Sequence, residues 1–263
     1  EQRIRNTRSM FVGNWFRDVD GRTNQPIILK DHYDVMMLTP LTCGIATPEQ
    51  AEAIRPMMRR FTKGPHLIQW PPGIFTFSEA AWNAGSRMLS AEAVAGIADR
   101  VCQRTDARTV LYEDDSEPFA YRVPGVANEF WPKADRPGGG ENYGWGATLP
   151  MFIIRNIIGF RESENLEETG FILAPAFPGN MAVAGKRYTC ARLQYRDMTF
   201  RVTYTIQNSG KIVVNLESHS RRPRGITVTD KSGTVLLDHQ KWKTNWAVSF
   251  EGKNDGVYQV SFR

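Results

Sequence analysis

The sequence predicts an α + β chain in two domains, a helical-hairpin domain over residues 1–165 followed by an antiparallel β-sandwich over 166–263. Three observations carry this expectation. Apolar residues recur at helical spacing as far as about residue 165. From about residue 170 the pattern switches to alternation in short runs. Between those runs stand "NSGK", "DKSG" and "KNDG", the turn chemistry that joins antiparallel strands.

The helical elements follow in order. "RIRNTRSMFVGNWF" (3–16) has helical apolar spacing and stops in the turn-like "RDVDGRTNQ". "HYDVMMLTPLTCGI" (32–45) reads as a buried helix that Gly44 ends. In "TPEQAEAIRPMMRRF" (47–61), Thr47 caps, Pro48 suits the first helical position and Gln50 completes a capping box. "FTFSEAAWNAG" (75–85) ends at a capping glycine, and "SRMLSAEAVAGIADRVCQR" (86–104) is a long amphipathic helix. "WGATLPMFIIRNIIGF" (145–160) is nearly all apolar and reads as an inner helix. Six helices in hairpin pairs result. The stretches of about 62–74 and 106–143 exceed the usual helix connection, which marks functional loops.

The strands are expected at "FILAPAF", "RYTCARLQY", "TFRVTYTIQ", "KIVVNLES", "GITVTD", "TVLLDH", "WAVSFEG" and "VYQVSFR". About eight short strands with such turns predict a sandwich. Alternation also places Trp242 and Trp246 in its core, although either could bind glycan.

Composition narrows the function. No apolar run approaches the roughly 18 residues that span a bilayer, so no membrane partner is expected. The net charge of +5 is scattered, and its densest cluster, "SRRPRG" (220–225), reads as a solvated turn between two strands, so no nucleic-acid partner is expected. Three widely spaced cysteines do not make a disulfide framework, and they leave the compartment open. Cys43 and Cys102 fall in helical patterns as small core residues. Four dispersed histidines (His32, His66, His219, His239) give no zinc spacing, so neither metal nor cofactor is expected.

The chemistry concentrates in "GVANEFWPKADRPGGGENYGWG" (125–146). A glycosidase needs two carboxyl groups about a scissile bond, and aromatic neighbours stack on sugar faces and desolvate a nearby carboxyl. Glu129 precedes Phe130 and Trp131; Glu141 precedes Tyr143 and Trp145. The alternative is that both glutamates are solvated loop residues, with the aromatics anchoring the loop to the helices.

This order of helix pairs, aromatic-Glu loop, "GGGENYGWGA" opening an apolar helix and then a β-domain resembles the C-terminal part of six-hairpin (α/α)6-barrel glycosidases. The similarity is to trehalases and the processing α-glucosidase I-like family. It implies part of an (α/α)6 toroid and an inverting, exo-acting glycoside hydrolase acting on an oligosaccharide. Aligned on Gly144-Trp145 and the Gly138–Gly140 run, the resemblance places Glu129 on the general base. Glu141-Asn142-Tyr143 reads like the family's Glu-Asn-Tyr, so Glu141 is the runner-up. "LIQWPPGIFTFSEAAWNAG" (67–85) resembles the family's Gln-Trp…Pro-Pro segment, with Pro71 where a trehalase has aspartate. It implies that Gln69 and Trp70 bind sugar, with Trp131, Tyr143 and Trp145 shaping the pocket. The family's catalytic acid is an Asp further upstream, and Asp18, Asp31 and Asp34 sit in a turn or near a helix start. The expectation is therefore a missing N-terminal half, or a partner chain, that completes the barrel and supplies the acid. The rival expectation is a non-catalytic carbohydrate-binding or scaffold protein.

Overall fold

The computed structural model describes residues 1–29, 33–62, 68, 70–102, 129, 144–163 and 170–263. The chain has an α + β, two-part fold and divides into two compact units, Glu1–Phe152 and Ile153–Arg263. No helix among the described residues is long and apolar enough to cross a membrane.

In the first unit, helix α1 spans Gln2–Ser9 and stops earlier than its apolar spacing predicts. The rest of that segment is a tight hairpin, strands β1 (Phe11–Val12) and β2 (Trp15–Phe16), with Val12 opposite Trp15. Gly13 has φ +69° and Asn14 does not have positive φ, as in a II′ turn. The "VGNW" turn outweighs helical spacing because Gly13 costs nothing in that conformation and Trp15 and Phe16 become buried.

The predicted helix at 32–45 appears as a 3-10 turn, Val35–Leu38, running into α2 (Thr39–Thr42). Pro40 has no N–H to continue an α-helical ladder, which explains the tighter first half. Gly44 follows with φ +67°, and Ile45 N–H donates to Pro40 O at 2.8 Å, closing the helix as expected. Because α2 ends so early, Cys43 lies at its end and is exposed, not core; Cys102, the last residue of α5, is exposed too.

Helix α3 (Pro48–Met58) opens with the predicted capping box: Gln50 N–H donates to Thr47 Oγ1 at 3.3 Å, and Thr47 N–H donates to Gln50 Oε1 at 3.0 Å. Helix α4 (Ile74–Asn83) is packed by α2, α3 and α5 (Arg87–Cys102). Its Ser78, Ala80 and Ala81 are buried, small enough to admit those neighbours. Gly85 (φ +65°) ends α4: Ser86 N–H reaches Ala81 O and Gly85 N–H reaches Trp82 O, a Schellman closure. Asn83 then satisfies the end of α2, donating to Leu41 O and Thr42 O.

The predicted inner helix at 145–160 has three geometries: a 3-10 turn (Gly144–Thr148), α6 (Leu149–Ile153) and a π-turn (Ile154–Ile158). Trp145, Leu149, Phe152, Ile157 and Ile158 are buried, whereas Pro150 and Met151 are exposed, so one face and not the whole surface is covered. Gly159 (φ +78°) ends the π-turn, where an added Cβ would lie 2.1 Å from the Ala174 carbonyl carbon.

The second unit is one antiparallel sheet of β3 (Phe160–Glu162), β4 (Gly170–Leu173), β5 (Arg187–Tyr195), β6 (Met198–Ile206), β7 (Lys211–Asp230), β8 (Val235–Lys253) and β9 (Tyr258–Phe262). The order is β3-β4-β9-β7-β6-β5, with β8 also on β7. The expected strand pairs 211–218/225–230 and 234–239/246–252 are thus single long strands. The cluster at 220–225 is the bend in β7, not a separate turn: the ladder with β8 breaks between His219 and Arg224. The first half of β7 pairs with β6, and the second half pairs with β9. Phe171 of β4 meets Phe200 of β6 with ring centroids 4.7 Å apart, although these strands are not ladder neighbours. Phe160, Phe262 and Tyr195 complete that aromatic cluster. Tyr204 is wholly buried and donates to Ile158 O at 2.8 Å; burial holds its hydroxyl neutral, with a pKa well above the ordinary value.

Candidate functional site

Of the residues singled out by sequence, Trp70, Glu129 and Trp145 are described; Gln69, Trp131, Glu141 and Tyr143 lie outside the described residues. Trp70 is half-buried and extended, immediately before a 3-10 turn at Pro71–Gly73 that runs into α4. Prolines at the first positions of that turn supply the fixed φ it needs. Gly73 N–H closes it onto Trp70 O at 2.9 Å. An added Cβ at Gly73 would lie 2.6 Å from Val35 Cγ1 and 3.7 Å from the Trp70 ring, so the glycine admits Trp70 close to the unit's core.

Trp145 stands in the same relation to α6. It lies in the 3-10 turn that opens the helix, is 8% exposed, and its carbonyl accepts from Thr148 Oγ1 at 2.6 Å. The rings of Phe75, in the first turn of α4, and Phe152, in α6, meet edge-on at 6.3 Å. Each tryptophan-bearing turn therefore opens a helix, and the two helices touch through these rings. Glu129 is half-buried, with no hydrogen bond or ion pair to a described residue.

The aspartates weighed for other roles divide. Asp34 caps the 3-10 turn at Val35–Leu38, accepting from Met36 N–H at 2.7 Å, which is a structural use of the carboxylate. Asp18 is not in the expected turn: it directly precedes the Val19–Pro26 bridge, and its carbonyl accepts from Ile27 N–H across that antiparallel pairing. Asp31 lies outside the described residues. No group of three or more His, Cys, Asp or Glu among the described residues could hold a metal ion. Compared with known proteins, the chain matches no family model and no curated protein.

Two features of the β unit differ from the sequence expectation: one was missed and one was placed in the core. One is an open groove of about 680 Å3 on the outward face of the sheet, lined in part by Arg192, Arg201, Glu217, His219, Lys243 and Asn245. Arg201 and Glu217 are ladder partners and pair at 3.6 Å; His219 Nδ1 and Asn245 Oδ1 meet at 2.7 Å. These are the polar positions of an alternating pattern, so their common face was readable, but their nearness depends on a register that the sequence does not state. The other is Trp242. It is 63% exposed and not in the core, whereas Trp246 is 7% exposed, with its Nε1 donating to Arg224 O at 3.0 Å.

Proposed function

We propose that this chain forms part of the sugar pocket of an inverting, exo-acting glycoside hydrolase of the α-glucosidase/trehalase type. In this reading the helical unit is a portion of an (α/α)6 toroid and the β unit folds over itself as a sandwich. The observation that carries the reading is that Trp70 and Trp145 each stand in a turn that opens a helix, α4 and α6, whose Phe75 and Phe152 rings touch, with the glutamate-bearing stretch leading into the second. Indole faces match the apolar faces of sugar rings, and helix-opening loops are where a helical scaffold can present them. Contact between Phe171 and Phe200 from strands that do not pair supports the sandwich.

Glu129 takes a proton from water as the water oxygen attacks the anomeric carbon. The glycosidic C–O bond breaks, and the leaving oxygen takes a proton from a carboxylic acid supplied from outside this chain. Room for the water sets the two carboxyls roughly 6.5–9.5 Å apart. Gln69, Trp70, Trp131, Tyr143 and Trp145 hold the sugar, and Glu141 is the second candidate for the base.

Turnover of α-linked disaccharides by the protein as the cell makes it, with the product anomer followed by NMR, tests this reading. Glu129→Gln is expected to lower kcat by about 100-fold or more with the fold unchanged, and the wild type to release the β anomer first. Near-normal turnover in Glu129→Gln refutes the base assignment; loss in Glu141→Gln beside it transfers the role. Binding without turnover across the panel favours the non-catalytic reading.

A further inference from the structure

We propose that Trp242, with Asp238, Gln240 and Thr227, forms a binding platform for a neutral oligosaccharide on the β unit, separate from the pocket above.

The position is built by an irregularity in the ladder. Ile226 pairs with His239 and Arg224 with Lys243, so residues 240–242 of β8 face Gly225 alone. Gly225 exchanges both backbone hydrogen bonds with Arg263, at 3.1 and 3.2 Å. A Cβ on Gly225 would stand 3.2 Å from His239 O, so this glycine allows the strands to approach beneath the bulge. Strand alternation would put Trp242 on the inner side with Trp246. The bulge releases it, and its ring stands in solvent.

Beside the ring lies a shallow hollow of about 60 Å3, lined by Gly225, Thr227, Asp238, Gln240 and Trp242 together with the basic side chains His239 and Arg263. Its polar groups are already oriented. Thr227 Oγ1 donates to Asp238 Oδ1 at 3.1 Å, and Gln240 Nε2 donates to Asp238 Oδ2 at 3.0 Å. Each carboxylate oxygen keeps a lone pair, and the Gln240 carbonyl adds another acceptor. An exposed indole face beside a fixed row of acceptors is the complement of a sugar, whose ring is apolar on one side and edged with hydroxyl donors.

Other occupants fit less well. A protein partner needs a contiguous apolar patch. The other exposed apolar residues of β8, Val235 and Leu236, lie six or seven residues away, roughly 20 Å along a strand. Strand addition is opposed by the bulge and by Lys241 and Lys243 flanking the ring. A nucleic acid would stack on Trp242 and meet those lysines and Arg263, but it would also bring phosphate charge beside the Asp238 carboxylate, which a neutral sugar does not.

The test is native electrophoresis of the whole protein through gels containing soluble glycogen or mixed-linkage β-glucan. It is joined by titration with maltohexaose, cellohexaose and, as a control, a dT10 oligonucleotide. Retardation by at least one glucan is expected. Trp242→Ala should weaken it at least tenfold and Asp238→Asn severalfold, with the circular dichroism spectrum unchanged. Binding should persist in Glu129→Gln, and Trp242→Ala should leave any turnover of a disaccharide intact, so this platform and the hydrolase reading can fail separately. No retardation by either glucan with no response to either hexaose, unchanged affinity in Trp242→Ala, or a response to dT10 alone overturns the proposal.

Discussion

The helical and β units secure their folds over different distances in sequence. In the helical unit, order is mostly local. Helices α1 to α4 are 8, 4, 11 and 10 residues long, too short to stand alone in water. Helices α2 to α4 are each bounded by a nearby signal: the Thr47–Gln50 box, Pro40 and Pro48, and Gly44 and Gly85 in left-handed conformations. In the β unit, order comes from strands of 20 and 19 residues and from rings brought together across the sheet. Local signals can be removed one at a time at modest cost. A shared aromatic cluster cannot.

The largest expected effect tests that contrast. Phe171 is fully buried and touches Phe160, Tyr195, Phe200 and Phe262. Phe171→Ala removes the ring on which four others converge and leaves a cavity, at a cost of about 3–5 kcal/mol. Urea unfolding should show that loss. Hydrogen exchange should rise first in peptides from 153–263. A loss below about 1 kcal/mol would mean the cluster is not the centre of this unit.

The same contrast governs what could be read from the sequence. The capping box, the stops at Gly44 and Gly85 and the alternation of the strands were legible because each depends on a few adjacent residues. The hairpin at Phe11–Phe16 was also local, and its Gly-Asn signal was present but outranked by helical spacing. The joining of the expected strand pairs into β7 and β8 was not legible. Proline and arginine at 220–225 have the composition of a turn, and only pairing with β6, β8 and β9 makes that stretch the bend of one strand. The core placement of Trp242 failed for a related reason: parity predicts its face only where the ladder is regular. At the candidate pocket, the sequence located Trp70 and Trp145 at helix openings. It could not give the contact between the two helices, which is the long-range meeting of Phe75 and Phe152.

A smaller effect is expected at the head of α3. Thr47→Ala removes the acceptor for Gln50 N–H and half of a reciprocal pair, a loss of about 1 kcal/mol. Thr47→Ser keeps the oxygen and should restore most of it. If Ala and Ser lower the urea midpoint equally, the threonine acts through packing and the helical unit is less local than the comparison holds.

The smallest expected effect lies in the β unit, where a side chain ties the bend of β7 to the turn between β5 and β6. Arg224 Nη2 meets both oxygens of Asp197, at 3.0 and 3.2 Å. Partial burial pushes the Asp197 pKa up, but the hydrogen bond and charge of Arg224, a backbone hydrogen bond and the charge of Arg222 outweigh it, and the pKa lies below its ordinary 3.8. A carboxyl with a depressed folded-state pKa stabilises fully above the unfolded-state value and loses that contribution as pH falls through the folded one. Asp197 and Arg224 are 28% and 20% exposed, so water and salt screen the pair, and its contribution stays below about 1 kcal/mol. Asp197→Asn lacks the contribution at every pH. The stability gap between wild type and Asp197→Asn should therefore be widest near pH 6, shrink below about pH 4, and narrow at pH 6 in 0.5 M NaCl. A gap that ignores both pH and salt would show that Asp197 holds the bend through hydrogen-bond geometry alone, and that the charge at this corner contributes nothing to the ladder.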